Sequence, residues 1–189
     1  MRIALIAMIM TLPVTAAAAE FHFYGGLGLD VGGEKVIEVV YMDGSKDSIR
    51  AGEGFHIAVG SDIDLDERYM LRATVGYKVA SISAQNGDIS FRRVPLELTG
   101  YRFFGSHGIG AGISHQRSVR LSCDFFGCGS VDVDPATGGI VEYLYRGRRE
   151  DNNKGFSVGI RMGVIEYQGS GGGSSVRGNY IGGNIGITL

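Results

Sequence analysis

The sequence predicts an all-β fold, a transmembrane antiparallel up-and-down β-barrel of eight strands occupying residues 20–189. Three observations predict it. Eight segments alternate in side-chain character with a period of two, and none has the period of a helix. One parity is aliphatic or aromatic, while the other carries charges among glycines. The links between segments run alternately short and long.

Residues 1–19 stand apart from this pattern. Arg2, the apolar run Ile3 to Leu12, Pro13 and Ala17-Ala18-Ala19 have the layout of a cleaved export signal. The run is shorter than the about 20 residues a helical span needs. A mature start at Glu20 leaves 170 residues of the 189, one domain's worth of chain.

The first segment sets Phe21, Phe23, Leu27 and Leu29 against His22, Tyr24, Gly26, Gly28 and Asp30. Successive side chains of a strand point to opposite faces, so this is one apolar and one polar or small face. In the second, Phe55, Ile57 and Val59 alternate with His56, Ala58 and Gly60. The third sets Tyr69, Leu71, Ala73, Val75, Tyr77 and Val79 against Met70, Arg72, Thr74, Gly76 and Lys78. The fourth and fifth centre on Val94, Leu96, Leu98 and on Ile109, Ala111, Ile113. The last three carry Val141, Tyr143, Tyr145, then Phe156 to Val164, then Ile181 to Leu189.

Composition removes several classes. There are 32 glycines, but they are interleaved with Ile, Val, Tyr and Phe, which a disordered chain would lack. They also have no collagen-like period of three. Small barrels use glycine where strands bend and where the interior is narrow. The formal charge is −2, with no basic stripe, so no nucleic-acid partner is indicated. In an exported chain the close pair Cys123 and Cys128 reads as a disulfide.

Short links are expected at Leu65 to Arg68, Phe104 to His107 and Gly147 to Gly155. Longer ones are expected at Val31 to Ala51, Ser81 to Asp88, Arg117 to Gly138 and Glu166 to Gly178. Outer-membrane barrels show this asymmetry, with short periplasmic turns and longer extracellular loops. Val36 to Met42 with Asp43-Gly44 reads as a small strand and turn inside the first long link. Pro95 lacks a ladder donor within a strand, which calls for a bulge there or a strand that begins later.

The polar row holds His56, Asp62, Arg72, Lys78, Arg93, Glu97, Glu142, Arg146 and Arg161. Charges among glycines suit a narrow interior where opposite signs pair, so the apolar face is expected outward, in lipid. Arg72, Arg93, Glu97, Glu142 and Arg161 are expected to form an interior charge network that plugs the lumen. Eight strands leave room for little more than side chains. With no tryptophan in the chain, interfacial girdles fall to Tyr and Phe.

On the alanine-rich signal end, the eight segments, Val94-Pro95-Leu96-Glu97-Leu98 and the terminal Asn184-Ile185-Gly186-Ile187-Thr188-Leu189, the chain resembles the small eight-stranded outer-membrane barrels of the OmpA-transmembrane-domain and OmpX type. Assembly signals of that family usually end in an aromatic residue, where this chain ends in Leu189. The resemblance implies a fold and a location in the outer membrane. Its partners would be lipopolysaccharide, phospholipid and the barrel-assembly machinery, with a possible extracellular ligand on the long loops.

No catalytic, metal or cofactor residues are assigned. Lipid A deacylases of similar architecture place a histidine and a serine two residues apart on one strand face. Here His115 and Ser118 are three apart, and Ser114 adjoins His115, so no nucleophile–base pair is supplied locally. His22 and His56 read as interior hydrogen-bonding residues and His107 as a solvated turn residue. The glycine run Gly169 to Ser175 lacks the lysine and helix of a P-loop. Asp124, Asp132 and Asp134, and likewise Asp62, Asp64, Asp66 and Glu67, read as solvated acids without calcium-site spacing. A structural or surface-interaction protein is the leading reading, with a lipid A-modifying enzyme and a small-solute pore as alternatives.

Overall fold

A computed structural model describes residues 19–41, 43–84, 87–124, 129–148, 155–169 and 175–189. Alternation organises these into eight long strands: β1 (Glu20–Val31), β2 (Gly54–Asp64), β3 (Tyr69–Ala84), β4 (Gly87–Phe104), β5 (His107–Cys123), β6 (Ala136–Arg148), β7 (Gly155–Val164) and β8 (Tyr180–Thr188). Each pairs antiparallel with its neighbour in the chain. Strand β1 pairs with β8 from Tyr24↔Thr188 to Val31↔Ile181 and closes the ring. Closure leaves the ring no row of unpaired backbone groups, which a hydrocarbon environment would penalise heavily.

Leu65 to Arg68 and Gly105-Ser106 form the tight turns at one end, where Gly105 takes a positive φ of 64°. Asp66 braces the first of these by accepting the backbone N–H groups of Arg68 and Tyr69 at 2.7 and 2.8 Å. The other end carries the additional structure. Lys35–Val40 and Lys46–Arg50 form a hairpin in the first long link. Val131–Val133 extends the sheet beside β5, and Glu166–Gln168 pairs with Ser175–Arg177.

Two expectations about segment ends are corrected. Ser81 to Asp88 is no long link: β3 runs to Ala84 and β4 starts at Gly87, paired through Ile82↔Ile89. Strand β5 likewise continues from the expected Ile113 region to Cys123. Pro95 lies inside β4, whose strand begins earlier than expected. The β3–β4 ladder skips the positions facing Pro95, running from Val75↔Leu96 to Lys78↔Arg93. The bulge sits on the other neighbour: Val94↔Arg117 is followed by Arg92↔Arg120, so two residues of β5 oppose Arg93. One of them, Ser118, has a positive φ of 48°.

Two zones result. Around the tight-turn half the outward row is apolar, from Phe21 at 71% exposed to Ile160 at 58%, while Asp62 and Arg93 inside are 0% exposed. This is an apolar belt around a charged interior, the arrangement of a barrel in a bilayer. At the long-loop end the sidedness reverses. Ile49, Ala51, Ile82, Ile89, Phe91, Val119, Ile165 and Tyr167 pack inward as a hydrophobic cap, whereas Ser81, Ser83, Arg92 and Arg120 face out.

Candidate functional site

The inward row of each strand stacks side chains into layers along the barrel axis. At the tight-turn end Met70, Tyr101, Phe103 and Leu144 form an apolar floor. Arg146 Nη1 donates to Asp64 Oδ1 at 2.9 Å and its guanidinium lies 4.7 Å over the Phe103 ring. Above it, Arg72 binds both oxygens of Asp62 at 2.7 and 2.9 Å, and Thr188 donates to the same carboxylate at 3.1 Å. The Arg72 guanidinium also sits 3.7 Å over the Tyr24 ring. A bidentate, stacked arginine with a fully hydrogen-bonded carboxylate is the geometry in which a buried pair is best compensated.

In the middle layer Arg161 Nη2 donates to Glu97 Oε1 and to the Tyr180 hydroxyl, each at 2.6 Å. Ser114 donates to Glu97 at 3.1 Å. Glu142 stands opposite Arg161 in the ladder and accepts from Asn184 at 2.9 Å. Next, Lys78 Nζ donates to Asp30 Oδ2 at 2.6 Å and to the Gly52 carbonyl at 2.7 Å, with His56 Nδ1 3.3 Å from Asp30. Arg93 finishes the stack by donating to the Ala51 and Glu53 carbonyls, its guanidinium 4.4 Å over Phe91.

Lys78 and Arg93 therefore grip the backbone of the first long link, which folds into the barrel mouth. The approach requires glycine: a Cβ on Gly52 would lie 2.5 Å from the Asn179 carbonyl and 2.9 Å from that of Gly32. From the cap Tyr167 reaches past this plug to donate to Gln116 at 3.3 Å, and burial holds its phenol above the usual tyrosine range. Interior voids of about 10 and 20 Å³ lie between the layers. Each has room for about one water.

All five expected network residues line the interior, but their partners are distributed. Glu97 and Arg161 meet directly. Arg72 takes Asp62 instead, and Arg93 takes backbone carbonyls. Asp62 and Asp64 are corrected from solvated turn acids to buried partners of Arg72 and Arg146, because inward parity outweighs proximity to the turn. Asp30 and Lys78 belong to the network too, and their parity with Arg72 was the signal. His107 is a strand residue whose Nδ1 lies 2.6 Å from the Tyr143 hydroxyl, not a turn residue.

His115 faces outward, its Nδ1 2.8 Å from Thr137 Oγ1, while Ser114 faces inward to Glu97. Among the described residues no three His, Cys, Asp or Glu side chains converge as a metal site. The expected Cys123–Cys128 bridge and most of the Gly169 to Ser175 run lie outside the described residues.

Solved outer-membrane barrels share the fold. Neisserial surface protein A matches with a TM-score of 0.50 and 15% identity, over 92% of this chain and 99% of that one. Ail, the attachment invasion locus protein of Yersinia pestis, solved in complex with the heparin analogue sucrose octasulfate, matches with a TM-score of 0.50 and 9% identity, over 89% and 98%. No protein-family model matches the chain, and no curated protein matches it in sequence. The likeness establishes the architecture: a closed, antiparallel, eight-stranded barrel of the outer-membrane type.

Proposed function

We propose that this barrel is a structural or surface-interaction protein of the outer membrane, with a plugged interior that conducts nothing. Residues 1–19 act as its export signal, and the barrel-assembly machinery inserts residues 20–189 among lipopolysaccharide and phospholipid. The observation that carries this reading is the unbroken stack from the apolar floor through Asp62–Arg72, Glu97–Arg161 and Asp30–Lys78 to the first-link plug. Voids of about 10 and 20 Å³ between those layers support no solute path. Surface work then falls to the structured long-loop end, where Cys123 and Cys128 would form a bridge within the link between β5 and β6; unreduced, denatured protein should then take up no maleimide.

Enzymatic turnover is not part of the proposal. Ser114 and His115 project to opposite sides of the barrel wall, which separates the hydroxyl from the imidazole that would activate it. The test is electrical. Full-length protein reconstituted in planar bilayers should give no steady single-channel current, and a large, stable conductance would overturn the plugged-barrel reading.

A further inference from the structure

Just above the apolar belt, the outer face of β4 and β5 carries an unusual juxtaposition of cations. Arg92 stands directly opposite Arg120, and Arg117 is opposite Val94 in the adjacent outward pair. All three arginines are exposed. Like charges directly opposite in a ladder are destabilising. Arg120 is partly neutralised by Asp132, at 2.7 and 3.2 Å. Arg92 and Arg117 form no ion pair among the described residues. Two uncompensated guanidiniums therefore flank a third on one patch of surface.

The same two strands supply an apolar surface immediately below. The outward ladder continues from Val94↔Arg117 through Leu96↔His115 to Leu98↔Ile113. Leu96, Leu98, Ile113 and His115, with Ala73 and Val75 of β3, line a lipid-facing groove of about 450 Å³. His115 joins the features, since it borders the groove and lies two residues from Arg117. The groove exists because two small residues, Ser61 and Ala73, stand opposite one another on β2 and β3 among larger outward side chains.

We propose that this face is a binding site for a phosphorylated lipid of the surrounding leaflet. Arg92 and Arg117 take the phosphate, Arg120 stays paired with Asp132 beside them, and an acyl chain lies along the groove. Charge complementarity fixes the occupant. A zwitterionic lipid brings its own cation against the arginines, and a free phosphate leaves the groove uncovered. Guanidinium matches phosphate oxygens in a bidentate manner that a lysine cluster would not. The site rests on the membrane-barrel reading, because the groove is a lipid-facing surface only there.

The test uses full-length protein in detergent micelles, with correct folding of each variant established first by its heat-modifiable gel mobility. Native mass spectrometry then follows retention of bisphosphorylated lipid A, its dephosphorylated form, phosphatidylcholine and inorganic phosphate. Wild-type protein should retain one bisphosphorylated lipid in preference to the other three. Arg92→Gln/Arg117→Gln should raise the half-saturating concentration at least tenfold, and Ala73→Phe, which fills the groove, several-fold. Arg102→Gln, an exposed arginine at the tight-turn end, should leave it unchanged. The assignment is overturned if the double variant retains lipid A as wild type does, or if the dephosphorylated lipid binds equally well. Inorganic phosphate binding as tightly as lipid A also overturns it. Failure of the wild type itself to fold as a heat-modifiable barrel would instead indict the membrane reading.

Discussion

Belt and cap are made by the same strands under opposite rules. Along the outward row of β3, Tyr69, Leu71, Val75 and Tyr77 give way to Ser81 and Ser83; along its inward row Arg72 and Lys78 give way to Ala80 and Ile82. Strand β7 and the chain beyond it do the same. Arg161 is followed inward by Ile165 and Tyr167, as outward Val164 is followed by Glu166. On β3 the ladder to β4 runs through both zones, from Tyr69↔Arg102 to Ala84↔Gly87, while pairing with β2 ends at Val79. What changes is the solvent that the outer face meets, lipid around the belt and water around the cap. The level at which hydropathy inverts therefore marks the membrane boundary. Lys78 and Arg93 sit at that level inside the wall, and Arg92 and Arg117 outside it.

The sharpest way to break the comparison is inside the belt. Asp62→Ala would leave Arg72 charged and enclosed with its bidentate partner gone. Removing one member of a buried pair costs about 3–5 kcal/mol. The variant should unfold at clearly lower urea concentration in lipid vesicles, followed by loss of the heat-modifiable band. Unchanged stability would mean that water reaches this layer and screens it.

A smaller effect should separate the two zones on one strand face. Val75→Lys places a charge on the lipid-facing row of β3, at a cost of about 2–4 kcal/mol if that position lies near the bilayer midplane. Ser81→Lys makes a comparable addition six residues along, on the same row, but in the cap. Surface changes of this kind usually stay within about 0.5 kcal/mol. Urea titration of both variants in vesicles checks the pair. Equal losses would mean that the boundary lies above Ser81.

Much of this was legible in the residues. Period-two alternation locates all eight strands, and the charges on one parity identify the inward row. The extensions of β3 and β4 were missed because their alternation continues with its polarity exchanged. A reading that equates apolar with outward stops near Val79. Strand β5 hides its extension differently, since its bulge exchanges the parities: even-numbered Ser114 and Gln116 face inward before it, odd-numbered Val119 and Leu121 after it. In the interior, parity alone would have promoted Asp30, Asp62 and Asp64. The partners of Arg93 could not have been found this way, because the Ala51 and Glu53 carbonyls belong to the backbone and have no side-chain signature.

The bulge itself gives the smallest test. Ser118 holds a φ of 48° and supplies the extra residue that turns Val119 and Leu121 into the cap while Arg117 and Arg120 stay outside. A left-handed backbone costs an L-residue about 1–2 kcal/mol, which glycine avoids. Glycine in turn loses about 0.5–1 kcal/mol more entropy on folding. Ser118→Gly should therefore be neutral to stabilising by up to about 1.5 kcal/mol. Ser118→Val, β-branched at a positive φ, should be destabilising by a similar amount. Because the strain sits at the junction, both effects should register in the cap, as a change in protease cleavage of the first long link. The urea midpoint of the belt should hardly move. A Ser118→Val variant that loosens the belt as much as the cap would show that the two zones unfold as one unit.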